Sequence, residues 1–242
     1  MRHQVDLWTV RIEEQLPAMS QHWRMLDEGE RHRASRYRHE ADRTRFVVAR
    51  ATLRCLLGHR LQLSPQSLVF HNNPFGKPTL PAPHGLHFNT SHSGDWVLHA
   101  ISASAPVGVD VEAITADWHA LQPLDNVLAP AEREWLLSLH ERERSAAFTA
   151  IWVRKEAYVK AQGQGLSLAL HEIDVLPVRG GAPERPTEQG RERELSSEAL
   201  SLCPLQLGAG YAACLAYLGP QPLLQIQRYQ GSLEPASVLA SK

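Results

Sequence analysis

Two acids stand two positions apart in Val107-Gly108-Val109-Asp110-Val111-Glu112, the cleanest apolar–polar alternation in the chain. A period of two is the mark of a strand, and it sends Val107, Val109 and Val111 to one face and Gly108, Asp110 and Glu112 to the other. Carboxylates sharing a strand face repel unless a cation lies between them, and a hard divalent ion, Mg2+ in particular, suits such oxygen ligands. A solvent-facing strand would carry the same acids, although acids are depleted in strands. The second constellation is Trp152-Val153-Arg154-Lys155-Glu156-Ala157-Tyr158-Val159-Lys160. On a helix Trp152, Glu156 and Lys160 line one stripe. That stripe reads either as an exposed Glu–Lys pair contributing a few tenths of a kcal/mol, or as a third carboxylate for the metal beside a cation for a phosphate.

The third constellation, Phe88-Asn89-Thr90-Ser91-His92-Ser93, follows a strand pattern. Adjacent Ser91 and His92 point opposite ways on an extended segment, and no G-x-S-x-G elbow occurs, which argues against a serine nucleophile. Small hydroxyls and an imidazole in a turn suit contact with an anion. Gly76-Lys77-Pro78 holds a lysine in a rigid turn, a weak signal alone. No phosphate-binding G-x-x-x-x-G-K-[ST] occurs, and Gly208-Ala209-Gly210 lacks the third glycine of a dinucleotide fingerprint. No cysteine pair has zinc spacing, and the 13 histidines are scattered.

The elements that must position these groups follow from pattern. Asp6–Val10 reads as a short strand, and Pro17 permits a helix from about Ala18. Arg31–Leu61 reads as a helix with a buried stripe (Phe46, Val47, Leu53, Leu56, Leu57) ending at Gly58. Strands are expected at Leu68–Phe70, Leu86–Asn89, Trp96–Ser102, Val107–Glu112 and His171–Val178. Helices are expected at Ala131–His140 and Ala146–Gln162. A closing hairpin runs over Leu202–Leu207 and Tyr211–Leu218, and Asn72–Pro78 is dense turn chemistry. The polar stretch 179–199 reads as a long loop or disordered insert, and the tail from Gln221 is weakly patterned. Helix, strand, polar turn, strand, strand runs from about Ala41 to Ser102 and again from about Ala146 to Leu218. That ordering predicts an α/β molecule of two similar lobes with a cleft between them. Short connections favour antiparallel hairpins over a doubly wound sheet. The expected division is 1–104, 105–220 and a tail 221–242.

The chain has 242 residues, 43% hydrophobic and 21% charged, which excludes a mostly disordered chain, a collagen and a coiled-coil rod. No apolar run approaches the roughly 20 residues of a membrane helix, and Met1–Asp6 carries no apolar leader core. Cys55, Cys203 and Cys214 are sparse and odd in number, which points to a reducing, cytoplasmic setting. The net charge of −1 hides a concentration: Arg31–Arg60 holds nine arginines against Glu40 and Asp42, a local +7 against −8 elsewhere. Such a block suits a local anion site better than whole-surface binding of nucleic acid. A solvated helical face would carry it too.

In this order the motifs resemble those of 4′-phosphopantetheinyl transferases of the broad-specificity, surfactin-synthetase-activating type. That family's first motif resembles Gly76-Lys77-Pro78 with Phe88–Ser93. Its second, G-[IV]-D-[IV]-E, resembles Gly108–Glu112. Its third, W-x-x-K-E-x-x-x-K, resembles Trp152–Lys160 followed by Gly163-Gln164-Gly165-Leu166-Ser167. The resemblance covers about residues 5 to 218. It implies a monomer of two pseudo-symmetric lobes, each a helix packed on a small, mainly antiparallel sheet, with coenzyme A bound between them. It implies Mg2+ on Asp110, Glu112 and Glu156. It also implies phosphate contacts from Lys160, His92 and Ser91, with Lys77 and Arg43 near the 3′-phosphate and adenosine end. Arg33 stands where the family has a lysine, and Glu30 where another cation often lies. The implied reaction moves 4′-phosphopantetheine from coenzyme A to a serine of an apo acyl, peptidyl or aryl carrier protein and releases 3′,5′-ADP. Glu156 and Lys160 are the candidate catalytic residues; Glu156 would take the serine proton as well as bind metal. Neither nucleic acid nor membrane is an expected partner. Two other classes remain open on the residues alone: a Mg2+-dependent phosphohydrolase using the same carboxylates, and a non-catalytic module holding RNA or an acidic helix on the arginine block.

Overall fold

The alternation at the N-terminus forms β1 (Gln4–Arg11), and the chain then turns through α1 (Ile12–Gln15), a 3-10 turn at Leu16–Ala18 and α2 (Met19–Met25). In this computed structural model the described residues are 3–116, 124–165, 168–176, 192–194 and 199–231. There follow α3 (Glu28–Ser35), α4 (Glu40–Leu61), the two-residue strands β2 (His71–Asn72) and β3 (Pro78–Thr79), and the hairpin β4 (His87–Ser93) with β5 (Trp96–Ser102). The second half holds β6 (Val107–Ala113), α5 (Leu124–Val127), α6 (Pro130–Ser138), α7 (Glu141–Gln162), β7 (Glu192–Glu194), β8 (Ala199–Leu205), β9 (Tyr211–Leu218) and β10 (Leu223–Arg228).

Two four-stranded sheets organise the molecule, ordered β10-β1-β5-β4 and β6-β9-β8-β7. All pairings are antiparallel except β1 with β10. Without β10 and β7 the halves share one plan. A strand leads into a long helix and then a hairpin, whose second strand pairs with the leading strand: β1-α4-β4-β5 and β6-α7-β8-β9. The repeat therefore starts one strand earlier than the ordering of the sequence suggests. The sheets pack face to face. Val5, Leu7, Leu98 and Ala100 meet Val107, Val109, Val111, Leu205, Ala213, Leu215 and Tyr217 in one shared core. α4 covers the outer face of the first sheet through Val48, Leu53, Leu56 and Leu57. α7 covers that of the second through Val153, Ala157, Tyr158 and Ala161. The lobes thus touch across a filled centre, and the candidate residues lie where the edge strands β4 and β6 meet.

Several expectations change. The expected helix over Arg31–Leu61 is two helices. A capping box starts the first: Asp27 Oδ1 accepts from Glu30 N–H at 2.8 Å, and Glu30 Oε2 accepts from Asp27 N–H at 3.0 Å. Gly58 does not end the second. The helix runs to Leu61 and stops at left-handed Gln62 (φ 56°). Gly58 is required for space, since a Cβ there would lie 2.8 Å from Leu63 O. Leu68–Phe70 forms no strand; Leu68 O instead accepts from Arg54 at 2.9 Å. The segment His171–Leu176 is the end of a 3-10 turn (Leu170–Glu172) followed by irregular chain, with Pro177 and Val178 outside the described residues. Its backbone groups serve a buried ion pair. Lys155 Nζ lies 2.6 Å from Glu132 Oε2 and donates to Leu170 O and Ile173 O, while Glu132 Oε1 accepts from Val175 N–H. The expected loop 179–199 lies mostly outside the described residues, but Glu192–Glu194 pairs with Ala199–Ser201. The tail from Gln221 supplies β10, a parallel edge on β1; residues 232–242 lie outside the described part.

Candidate active site

β6 carries its valines into the shared core and turns Gly108, Asp110 and Glu112 toward α7. Gly108 sets the distance between the two elements: a Cβ there would lie 1.9 Å from Ala157 O and 2.4 Å from Ala161 N. Only a bare Cα lets the helix backbone seat so closely on the strand. This seating brings Lys160, one turn beyond Glu156, onto the strand's acids. Lys160 Nζ lies 2.5 Å from Asp110 Oδ1 and 3.3 Å from Ser91 Oγ.

β4 reaches the same acids from the other half. β4 and β6 do not pair by backbone. Alternate β4 side chains satisfy alternate β6 amides instead. Asn89 Oδ1 accepts from Val109 N–H at 2.8 Å, Ser91 Oγ from Val111 N–H at 3.3 Å, and Ser93 Oγ from Ala113 N–H at 3.1 Å. Each serine then donates to a carboxylate, Ser91 to Asp110 Oδ1 at 2.7 Å and Ser93 to Glu112. One row of small polar side chains therefore closes the seam between the halves and aims both acids.

Asp110 is 1% exposed, and its Oδ2 is buried with no partner. Burial, then Asp110, raises the pKa of Glu112 above the ordinary carboxylate value; Glu156 adds to this, while Ser93 and Lys160 oppose it. Burial also raises Glu156, with Lys160 opposing and Asp110 adding. The three acids are thus electrostatic neighbours short of positive charge, with one orphaned buried oxygen. Among the described residues no group of three acid, histidine or cysteine side chains is placed to hold a metal ion by itself. An ion such as Mg2+ needs none: it takes one or two carboxylates and completes its shell with phosphate oxygens and water. The orphaned oxygen of Asp110 and its repulsion with Glu112 and Glu156 fit that kind of site.

The remaining candidates divide. His92, exposed at the surface beside the site, has its pKa lowered by desolvation and by the nearby cations Lys160 and Arg45. Arg43, on the first turn of α4, lies half-exposed 3.6 Å from Glu40. Its neighbour Arg45 pairs with Asp42 at 2.5 Å and is the arginine that His92 feels. Ser91 is held by Asp110 and Val111, so its hydroxyl positions an acid where the resemblance implied a phosphate contact. Lys77, implied to lie near adenosine phosphates, donates to Lys160 O at 2.6 Å, Val107 O at 3.1 Å and Ala161 O at 3.4 Å. Trp152, in line with Glu156 and Lys160, packs against Phe148 and belongs to the core.

Much of the arginine block also proves structural. Arg54 is fully buried, 2.8 Å from Glu30 and 2.6 Å from Asp27, and Arg50 lies 2.7 Å from Glu30. Both guanidinium groups cover the Phe70 ring. Glu30, at a position the resemblance assigns to a cation, is therefore the counter-ion of two arginines. Arg33 lies over the Phe46 ring, and Arg31 donates to Trp23 O and Arg24 O. Asn89 and Ser93 serve the site although sequence pattern singles out Ser91 and His92; their spacing, two apart with Ser91 between, is the available signal.

Two family models match the chain in succession: the 4′-phosphopantetheinyl transferase N-terminal domain over residues 12–104, and the 4′-phosphopantetheinyl transferase superfamily over 106–216. The chain is 33% identical over 177 residues to the 4′-phosphopantetheinyl transferase HetI of Nostoc, covering 71% of this chain and 73% of that protein. It is 31% identical over 145 residues to the 4′-phosphopantetheinyl transferase Sfp of Bacillus subtilis, and 33% identical over 145 residues to the 4′-phosphopantetheinyl transferase ffp of the same species. Each match covers 60% of this chain, and the chain spans 63% of the length of each Bacillus relative. Among the described residues no helix is long and apolar enough to cross a membrane.

Proposed function

Because the chain belongs to the 4′-phosphopantetheinyl transferase superfamily, we propose that it transfers the 4′-phosphopantetheine group of coenzyme A to a serine hydroxyl of an apo acyl, peptidyl or aryl carrier protein. The observation that carries this reading is the Asp110 centre: a buried carboxylate with one orphaned oxygen, flanked by Glu112 and Glu156 and touched by Lys160. A Mg2+ ion held there would neutralise charge on the pyrophosphate of coenzyme A. The serine oxygen bonds to the phosphorus that bears pantetheine, the bond from that phosphorus to the bridging oxygen breaks, and 3′,5′-ADP leaves.

The chain's own residues do the rest. Glu156, whose pKa is raised by burial, takes the serine proton directly or through water. Lys160 offsets the charge growing on the departing phosphate, an interaction stronger in the transition state than before it. His92 with Arg45, and Arg43 on the same helix turn, receive the outer phosphates at the mouth. Positioning and electrostatics carry most of a phosphoryl transfer, which agrees with a site of acids and cations without a nucleophile of its own. Both halves of one chain supply the site, so the working form is a monomer. Arg50 and Arg54 of the arginine block take no part in the site, being committed to Asp27 and Glu30.

The test is incubation with coenzyme A, Mg2+ and a panel of apo carrier proteins, read by intact mass. The expected result is a Mg2+-dependent gain of one phosphopantetheine on the carrier and stoichiometric 3′,5′-ADP, both lost in Asp110→Ala. Cleavage of coenzyme A at the same rate without a carrier, leaving the carrier unmodified, would make the protein a phosphohydrolase and overturn the reading.

A further inference from the structure

The turn between β2 and β3 has no role in the chemistry described so far, yet it is tied to the site more tightly than its exposed position suggests. Asn73 builds the turn. Its Oδ1 accepts from the N–H groups of Phe75 and Lys77, both at 2.9 Å, its own N–H donates to Lys77 O at 2.9 Å, and Gly76, at φ 88°, donates to Asn73 O. With the carbonyl so engaged, the amide nitrogen of Asn73 reaches the other half of the chain and donates to Gly163 O at 2.7 Å. Lys77, held in place by that turn, sends its ammonium to Lys160 O, Ala161 O and Val107 O.

The position of these acceptors gives the contacts their meaning. α7 ends at Gln162, and Gly163 caps it in the left-handed conformation (φ 70°). The last carbonyls of a helix have no partner within it and sit at the negative end of the helix dipole. Uncapped, such an end frays. Lys160 lies in that last turn, with its side chain on Asp110. The residue whose carbonyl Lys77 grips is therefore the one whose ammonium occupies the site. Val107, the third acceptor, begins β6, the strand that carries Asp110. One lysine thus ties together the two elements that hold the acids and their cation. An ammonium has three N–H donors and no acceptor, and here three carbonyls face it, so none is left over for a phosphate.

We propose that Asn73 and Lys77 form a clasp from the first half of the chain that fixes the last turn of α7, and with it the Lys160 ammonium, making both of them positioning residues for the transfer and not ligands of the cofactor's phosphates. The kinetic part of this proposal rests on the transferase reading; the structural part does not. The informative variant is Asn73→Asp. It keeps the oxygen that builds the turn and replaces the donor to Gly163 O with an acceptor. Lys77→Met removes the ammonium and keeps most of the apolar stem.

Both variants and the double variant are compared with the parent, with circular dichroism reporting folding. Displacement of a catalytic group by about 1 Å costs on the order of 10²-fold in rate. Each single variant should therefore lose about 10- to 100-fold in kcat, with KM for coenzyme A within about twofold of the parent. The double variant should lose clearly less than the product of the single losses, because both break one device. Hydrogen exchange of the coenzyme A-free proteins supplies the readout independent of activity. Amides of residues 160–163 should exchange faster in both variants while those of 148–157 keep the parent's protection. Should Lys77→Met raise KM for coenzyme A with kcat intact, while Asn73→Asp behaves as the parent, Lys77 is a phosphate ligand and the clasp is wrong. Parental exchange at 160–163 in a folded Asn73→Asp protein overturns it as well. A parent that exchanges as expected but transfers no pantetheine would defeat the transferase reading and leave the clasp standing.

Discussion

Gly108→Ala is the smallest change that should disable the site without touching a charged group. The new Cβ would stand 1.9 Å from Ala157 O, 2.4 Å from Ala161 N and 2.9 Å from the Lys160 carbonyl carbon. All three are helix backbone, so no flexible side-chain end can yield. Ordinary contact begins near 3.4 Å, and α7 must lift from β6 by about 1.5 Å. The helix resists, because Ile151, Val153, Ala157 and Val159 pack its length with 2% exposure or less. Such overpacking costs roughly 1–3 kcal/mol, which for a chain of this size is a fall in Tm of about 2–12 °C. The same lift takes Lys160 Nζ from 2.5 Å to about 4 Å from Asp110 Oδ1, beyond any hydrogen bond. Loss of that geometry should lower kcat by on the order of 10²-fold. Thermal melts and steady-state transfer to an apo carrier measure both effects on one preparation. A folded Gly108→Ala enzyme with parental kcat and parental Tm would mean that α7 and β6 are not held at the separation described, and the reasoning from close backbone approach would fail.

Other expectations follow from the same geometry. Ser91→Ala strands the buried Val111 N–H and removes a donor from Asp110; an unsatisfied group of this kind costs about 1–3 kcal/mol, read as a lower urea midpoint with unchanged slope. Glu112 and Glu156 have folded pKa values above the ordinary 4.5, so the folded state holds their protons more tightly than the unfolded one. In the absence of divalent ions, stability should therefore fall as pH rises from about 4.5 through the raised values. Glu156→Gln should weaken that fall, and Mg2+ should raise the parent's Tm at neutral pH more than the variant's. Lys155→Met leaves Glu132 buried without its counter-ion and should cost about 3–5 kcal/mol, and Lys155→Met with Glu132→Leu should recover only part of it, because the Ala129 and Val175 N–H groups then lose their acceptor. Lys160→Ala should lower kcat by on the order of 10²-fold with a smaller change in KM for the carrier, and Lys160→Arg should recover part of the rate.

The sequence shows the acids plainly because strand and helix periodicity each encode a face. Asp110 and Glu112 share one at spacing two, Glu156 and Lys160 one at spacing four, and the structure brings these faces together. What it hides are partnerships between distant segments. Arginine density between Arg31 and Arg60 says nothing of Asp27 and Glu30, which bury Arg50 and Arg54 and convert part of an apparent anion site into an internal brace. The apolar pattern of His171–Val178 suggests a strand, but periodicity cannot register that its Ile173 carbonyl is needed by Lys155 and its Val175 N–H by Glu132. Lys77 in its rigid turn is visible, but its target is not, because the carbonyls it grips lie 83 and 84 residues away at the end of a helix and 30 away at the start of β6. Leu223–Arg228 alternates too weakly to announce a strand, since as a sheet edge it keeps most of its side chains in solvent.

Two halves on one plan make only one site, and the difference lies on the strand under each helix. Toward α4, β1 presents Asp6, Trp8 and Val10. Trp8 and Val10 fill the core beneath the helix, and Asp6 faces Arg60 on α4 at 3.9 Å. Burial of apolar surface is what that contact supplies. Toward α7, β6 presents Gly108, Asp110 and Glu112, where nothing fills the first position and charge fills the next two. The helix drops onto the strand and carries Glu156 and Lys160 down with it. The serines of β4, which close the seam between the halves, reach those same acids. A glycine on one leading strand, with acids after it, thus sets a centre of charge where the other half has a packing contact. The other unit contributes the polar row of β4, the clasp of the β2–β3 turn, and the His92, Arg43 and Arg45 side chains proposed to meet the outer phosphates.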